Sequence, residues 1–296
     1  MIKFNRFYSL FNILSSILII ASLTLLTFKG LNFGIDFKGG TLIELRSSYS
    51  KINVSSLRDT LNQMNLGDVS VKKFGNNKDY LVKFENKDNK ENIIEEIKLN
   101  LDKSFGNNFD FRRVENVGPK VSSELLRSGI IAISISLAVM LIYIWIRFEW
   151  QFSLGAIIAL FHDVVVTLGL FSILNLEINL SIIAAVLTIV GYSMNDTVVI
   201  YDRVRENLRK YSDIKIFELT NISINETLSR TLITSITTLL ALLSIFFFGG
   251  EILKGFSLAM IFGVVFGTYS SIYIANTVLV RLSVSQETIL KEDEKV

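Results

Sequence analysis

The sequence predicts an α-helical polytopic membrane protein with six transmembrane helices and one ferredoxin-like α+β domain between the first two. Three observations carry that prediction. Half of the 296 residues are hydrophobic, and the mean hydropathy is +0.45, well above what a soluble chain of this length needs for a core. The apolar residues gather in six nearly uncharged blocks, at 7–28, 128–146, 151–176, 178–201, 231–250 and 255–280. The one long polar stretch between blocks falls after the first of them.

Each block is long enough to cross ~30 Å of hydrocarbon, which takes about 20 residues at 1.5 Å rise per residue. The first could be mistaken for a signal peptide, but it exceeds the roughly 7–15 residues of an h-region and no small-x-small cleavage site follows. It is expected to stay as a span, so that 1–28 is the N-terminus with its helix.

Residues 29–127 read as a small domain. "GTLIELR" alternates as a strand, with Ile43 and Leu45 on one face. Val54, Leu57, Leu61 and Met64 mark an amphipathic helix capped near Asn53. "DVSVKKF" and "YLVKFE" are two strands joined by the turn "GNNKD". Ile94, Ile97, Leu101 and Phe105 mark a second helix, and "FDFRRVENV" a last strand. The order β-α-β-β-α-β is the ferredoxin-like arrangement. Such a scaffold says nothing specific about function. Pro119, the only proline, is expected to break the chain before the second span.

The remaining five spans occupy 128–283. "RFEWQ" makes a tight turn between the second and third, and 202–226 forms a charged loop with an amphipathic helix and a return. The tail 284–296 reads as disordered. Twelve basic residues near the spans lie on one side, Arg203, Arg205 and Arg209 among them, against Lys254 alone in the opposite short loops. Both termini are therefore expected in the cytoplasm and 29–127 outside. The net charge of +2 is a topology signal and implies no nucleic-acid partner. Without cysteine there are no disulfides or metal thiolates, and neither metal nor cofactor is expected.

Polar residues inside the spans carry the chemistry, because charge in a bilayer is costly and turns toward protein or water. In "GYSMNDTVVIYDR", Thr188, Tyr192 and Asp196 fall on one helix face, with Gly191 and Asn195 beside them. Asp196 lies ~8 Å from the cytoplasmic end of span four. If span five starts near Asn225, Arg230 enters to the same ~8 Å depth. Thr227, Thr231, Thr234, Ser235, Thr237 and Thr238 then form a hydroxyl stripe that could carry water to Asp196. A static Asp196–Arg230 lock between helices is the bland alternative. Such a pair is weak evidence for stability, and with the stripe beside it a proton relay is the better reading. Asp163, in "FHD" of span three, is either part of that path or helix–helix glue. His162, the only histidine, is assigned to packing. Gly263 and Gly267 form GxxxG, with Ser270 near one side, for close helix packing and not a ligand site.

"FGIDFKGGT", "VGPKVSSEL", "RFEW", "FHD", "GYSMNDTVVIYDRVRENLR" and "NETLSRT" follow one another in that order. Together they resemble the SecD/SecF family of bacterial protein-export membrane subunits, in the resistance-nodulation-division superfamily, along essentially the whole chain. The resemblance implies an inner-membrane protein that pairs with SecD around a pseudo-two-fold axis and serves the SecYEG channel and its preprotein. It also implies that proton flow is coupled through Asp196 and Arg230. Half a transporter needs its other half from another polypeptide. Competing readings are an exporter of other substrates, a structural scaffold, and an intramembrane aspartyl protease using Asp163 and Asp196. The protease reading lacks a GxGD-type motif, and a depth difference of ~6 Å strains a shared-proton dyad. No enzymatic activity is expected.

Overall fold

The computed structural model describes all residues except 49–51, 68, 75–77, 85–91, 107–108, 212 and 294–296. It divides into two compact units, 1–32 with 131–296, and 33–130.

Among the described residues there are six long apolar helices, the second of them beginning within 33–130 and the rest in the larger unit. They are Tyr8–Phe28, Pro119–Arg147, Trp150–Ile173, Leu180–Lys210, Ile216–Phe248 and Glu251–Ser270, the last continuing through a π-helical turn at Ser271–Ala275 into Asn276–Arg281. Burial sorts the six. Their most apolar stretches are 61%, 50% and 56% buried in spans three, four and six, but only 11%, 11% and 17% in spans one, two and five. Spans three, four and six therefore form the core of the unit, and the others present apolar faces such as Ile13, Ile17 and Ile20 or Ile135, Val139 and Ile142 outward.

The ends of several helices depart from the sequence reading. Pro119 does not interrupt the chain before span two. It occupies the first helical position, where its missing N–H costs nothing and its fixed φ suits the helix. Residues 202–226 are mostly helix: span four runs on to Lys210 and span five begins at Ile216, leaving a connection of only 211–215. Leu219, Asn221 and Ile224 are buried there, because the N-terminal segment is bound to them. Asn221 Oδ1 accepts the Phe4 N–H at 2.7 Å, and Asn225 pairs with both the N–H and the C=O of Ile2 at 2.8 Å. The tail is likewise not structureless, since Gln286–Asp293 is helical and Ile289 is fully buried.

The smaller unit is a four-stranded antiparallel sheet, Gly40–Ser47, Ser70–Phe74, Asp79–Phe84 and Phe109–Val117, with helices Val54–Asn62 and Ile93–Phe105. In space the strands run fourth, first, third, second. Alternation places Ile43, Leu45, Val71, Val82 and Phe84 in one core with Leu57, Leu61, Ile97 and Leu101 of the helices. Asn53 caps the first helix by accepting from the Ser55 N–H at 3.2 Å. Most of the turn expected at 75–79 lies outside the described residues. The first strand opens on Gly39 and Gly40 at φ +79° and +132°. A Cβ at Gly40 would stand 2.6 Å from the Phe84 carbonyl oxygen, so only glycine fits there.

Candidate functional site

Spans four and five are an antiparallel hairpin, and its register fixes the depth of every polar group. Across it Asn207 donates to Ser223 at 2.9 Å, and Arg203 donates to Glu226 at 2.7 Å. Seven residues deeper from the first pairing, Ile200 stands level with Arg230. Eleven residues deeper, Asp196 stands level with Thr234 and its neighbour Ser235. Arg230 thus sits about one turn, ~6 Å, nearer the hairpin end than Asp196. The two charges do not share one depth as expected, because span five begins nine residues before Asn225. Nor do they form an ion pair; Arg230 is exposed on the outer side of span five, its charge acting on Asp196 through space.

Hydroxyls hold Asp196 instead. The carboxylate is buried, with 2% of its surface exposed, and its Oδ2 accepts from Thr268 of span six at 3.1 Å. Thr268 Oγ1 is in turn 2.7 Å from Ser235 Oγ of span five. Since the Thr268 hydrogen goes to the carboxylate, Ser235 donates to Thr268. The result is a directed chain from span five through span six to span four.

A second polar centre lies in span three. Asp163 is fully buried, and its Oδ2 accepts from Ser193 of span four at 2.6 Å and Ser270 of span six at 2.7 Å. Its Oδ1 faces His162 Nδ1 at 2.9 Å, inside the same turn of helix. His162 is therefore more than packing: its Nδ1 and Asp163 Oδ1 share one hydrogen bond between two fully buried side chains. Below this centre Thr197 meets Ser271 at 2.7 Å, and Ser271 Oγ donates to the Gly267 carbonyl at 2.7 Å. Asp163 and Asp196 have separate partners, an arrangement unlike a dyad sharing one proton.

Close packing brings these groups together. A Cβ at Gly267 would stand 3.0 Å from Ser193 Cβ, and one at Gly263 would stand 2.2 Å from Ile189. The glycines thus let span six lie against span four. The π-helical turn follows immediately, as such turns often do at functional positions.

The other expected residues are dispersed. Asn195 is exposed on the far side of span four with Ala184, Thr188 and Gly191. Tyr192 has its hydroxyl buried without a partner. The hydroxyl stripe is not a continuous wire: Thr227 and Thr234 bond back to carbonyls of their own helix, Thr231 Oγ1 is buried without a partner, and Thr238 is half-buried. Of that face Ser235 is the residue that reaches the Asp196–Thr268 pair. Sequence reasoning missed Thr268 and Ser193 and assigned Ser270 to packing, although Ser and Thr facing a buried Asp across glycine-rich spans is the signal to look for. Toward the hairpin end Arg203 also binds Glu206 at 2.6 Å, and Arg205 binds Glu149 at 2.8 Å. Among the described residues no three His, Asp or Glu side chains converge as a metal would need.

Comparison with known proteins identifies two matching families. One is described as "Protein export membrane protein SecD/SecF, C-terminal" and covers residues 97–285; the other, "SecD/SecF GG Motif", covers 24–48 and includes Gly39 and Gly40. Protein translocase subunit SecF of Rickettsia bellii is 50% identical over 250 residues, 84% of this chain and 82% of its own. That of Cereibacter sphaeroides is 44% identical over 285 residues, covering 92% and 86%. The crystal structure of SecDF from Thermus thermophilus, a translocon-associated membrane protein, superposes with TM-score 0.84 at 35% identity over 95% of this chain. A SecDF structure in a super-membrane-facing form gives 0.69 at 34% over all of it. The present chain spans 38% and 40% of those two SecDF chains.

Proposed function

The chain belongs to the SecD/SecF family of protein-export membrane proteins, and from that premise we propose that it is an accessory subunit of the Sec translocase. It is a multi-pass membrane protein. In this reading it sits in the inner membrane with both termini cytoplasmic, as its basic residues direct. It joins SecD, acts beside the SecYEG channel, and uses the proton motive force to promote preprotein translocation and release. Its smaller unit is a periplasmic ferredoxin-like domain, a reading supported by the β-α-β-β-α-β order and the fourth-first-third-second sheet.

One observation carries the coupling: Asp196 is buried in a span with hydroxyl partners alone, and Arg230 stands one turn away on an open face. A carboxylate so placed can take a proton without breaking an ion pair. Movement of Arg230 or of a partner against that face then changes whether the ionised form is favoured. A potential of 100 mV supplies about 2.3 kcal/mol per charge moved, which biases a two-state movement about fifty-fold.

The test is preprotein release from vesicles holding the chain with SecD and the channel. A proton gradient acid on the side of the smaller unit should stimulate release, and the reversed gradient should not. Asp196→Asn preserves shape and cannot titrate, so it should lose the stimulation while remaining inserted and partner-bound. A full response in that variant means the buried carboxylate is structural.

A further inference from the structure

The second polar centre makes no direct contact with Asp196, and its hydrogen bonds join the helices that do meet there. Asp163 Oδ2 accepts two hydroxyls at once, from Ser193 of span four and Ser270 of span six. Ser193 lies three residues, less than one turn, before Asp196. Ser270 lies two residues after Thr268. The same two helices that meet at the Asp196–Thr268 contact are therefore tied together by one carboxylate of a third. Ser271, next in the chain, gives its hydrogen to the Gly267 carbonyl and accepts from Thr197 of span four at 2.7 Å, a further tie along the seam. Gly267 lies opposite Ser193 and makes the approach possible.

With both hydroxyls on Oδ2, Oδ1 is left to face His162 Nδ1, so that the carboxylate is held from three sides. The ring is fully buried and tilted against Tyr269, whose centroid is 5.9 Å away. Its Nε2 is buried without any partner. In the tautomer with the hydrogen on Nδ1, Nε2 is a bare acceptor and no donor is stranded. The other tautomer would strand a buried donor at Nε2, whatever the protonation of Asp163. Tyr269 of span six is the nearest other titratable group; its hydroxyl is engaged with Ser15 and the Phe11 carbonyl of span one at 2.7 Å each.

We propose that Asp163, fixed by the Nδ1 hydrogen of His162, is the positioning residue that holds spans four and six in the register at which Thr268 reaches Asp196. This rests on the proposed coupling role of Asp196, and its test is separable from it. His162 is the only histidine, so histidine labelled with nitrogen-15 reports this one ring in the full-length protein reconstituted with SecD in bilayers. The resonances should show Nδ1 protonated and Nε2 bare. The opposite tautomer overturns the proposal, whatever happens to activity.

The release assay supplies the second arm. Asn places an amide donor where Nδ1 stood but is smaller than the ring, whereas Phe keeps the ring and donates nothing. If His162 positions the carboxylate, His162→Asn should keep most of the gradient-driven stimulation and His162→Phe should lose about tenfold, as sub-ångström misplacement of a working group does. If the ring only packs, Phe should be the better replacement, and the proposal fails. Asp163→Asn should match Ser193→Ala with Ser270→Ala combined, without adding to it, since all three act through one seam; additive losses would also overturn it. If Asp196→Asn itself keeps a full gradient response, the coupling role falls, while the tautomer measurement still decides the geometry of this centre.

Discussion

Thr268→Val keeps the outline of the side chain and removes the hydroxyl that Asp196 accepts. Leaving a buried carboxylate one donor short costs about 1–3 kcal/mol, which corresponds to roughly tenfold or more in a coupled equilibrium. Gradient-driven release should therefore fall by about tenfold in Thr268→Val and recover in Thr268→Ser. Ser235→Ala should do less, because Thr268 keeps its own donation. Equal activity of Thr268→Val and the parent would remove Thr268 from the site. Asp196 and Asp163 were legible in the sequence because a carboxylate inside an apolar block is costly and stands out. Thr268, Ser193 and Ser270 were not, because hydroxyls are common in spans and often satisfied by their own helix, as Thr227 and Thr234 are. Which hydroxyl meets which carboxylate depends on the register between helices, and periodicity along one helix carries no trace of it.

Helix interiors were legible for the same reason that helix ends were not. A block of twenty apolar residues marks a span, but the polar turns that prolong it, at 119–127, 202–210 and 216–224, carry no apolar run to show that they continue it. The common depth expected for Arg230 and Asp196 rests on a helix starting near Asn225, whereas the helix starts at Ile216. The GxxxG of span six marked close packing, and the structure identifies Ile189 and Ser193 as what it meets. A Cβ at Gly263 would stand 2.2 Å from Ile189 Cγ1, so Gly263→Val overpacks the seam, at about 1–3 kcal/mol. The variant should lower the thermal midpoint of the purified protein. Adding Ile189→Ala should restore part of the loss, since the two changes compensate in volume. Independent, additive losses would show that the two residues do not meet.

The whole molecule is two units with different solvents. In the larger, spans one, two and five turn apolar faces outward, where acyl chains or a partner's helices can cover them. In the smaller, strand alternation made both the sheet and its core legible, and the unit closes its own hydrophobic core between one sheet face and two helices. It should therefore fold alone when residues 33–130 are expressed without the spans. A cooperative thermal transition with mixed helix and strand circular dichroism is the expected result, and a coil spectrum would refute it. Val71→Asp should abolish the transition, because Val71 is 1% exposed and an unpaired buried carboxylate costs several kcal/mol, about the margin of a small domain. The same fragment also tests Asp79, which Arg46 binds through two hydrogen bonds at 2.6 and 2.8 Å. Those bonds hold the Asp79 carboxyl below its ordinary range. A carboxyl lowered in the folded state adds stability above the unfolded value, about 3.9, and that stability is lost as pH falls through the lower folded value. The midpoint of the parent fragment should consequently drop as pH falls below about 4. Asp79→Asn should lower the midpoint at neutral pH and flatten this part of the profile, because its side chain has no proton to gain. Parallel profiles for the two fragments would mean that the Arg46–Asp79 pair contributes nothing to the fold.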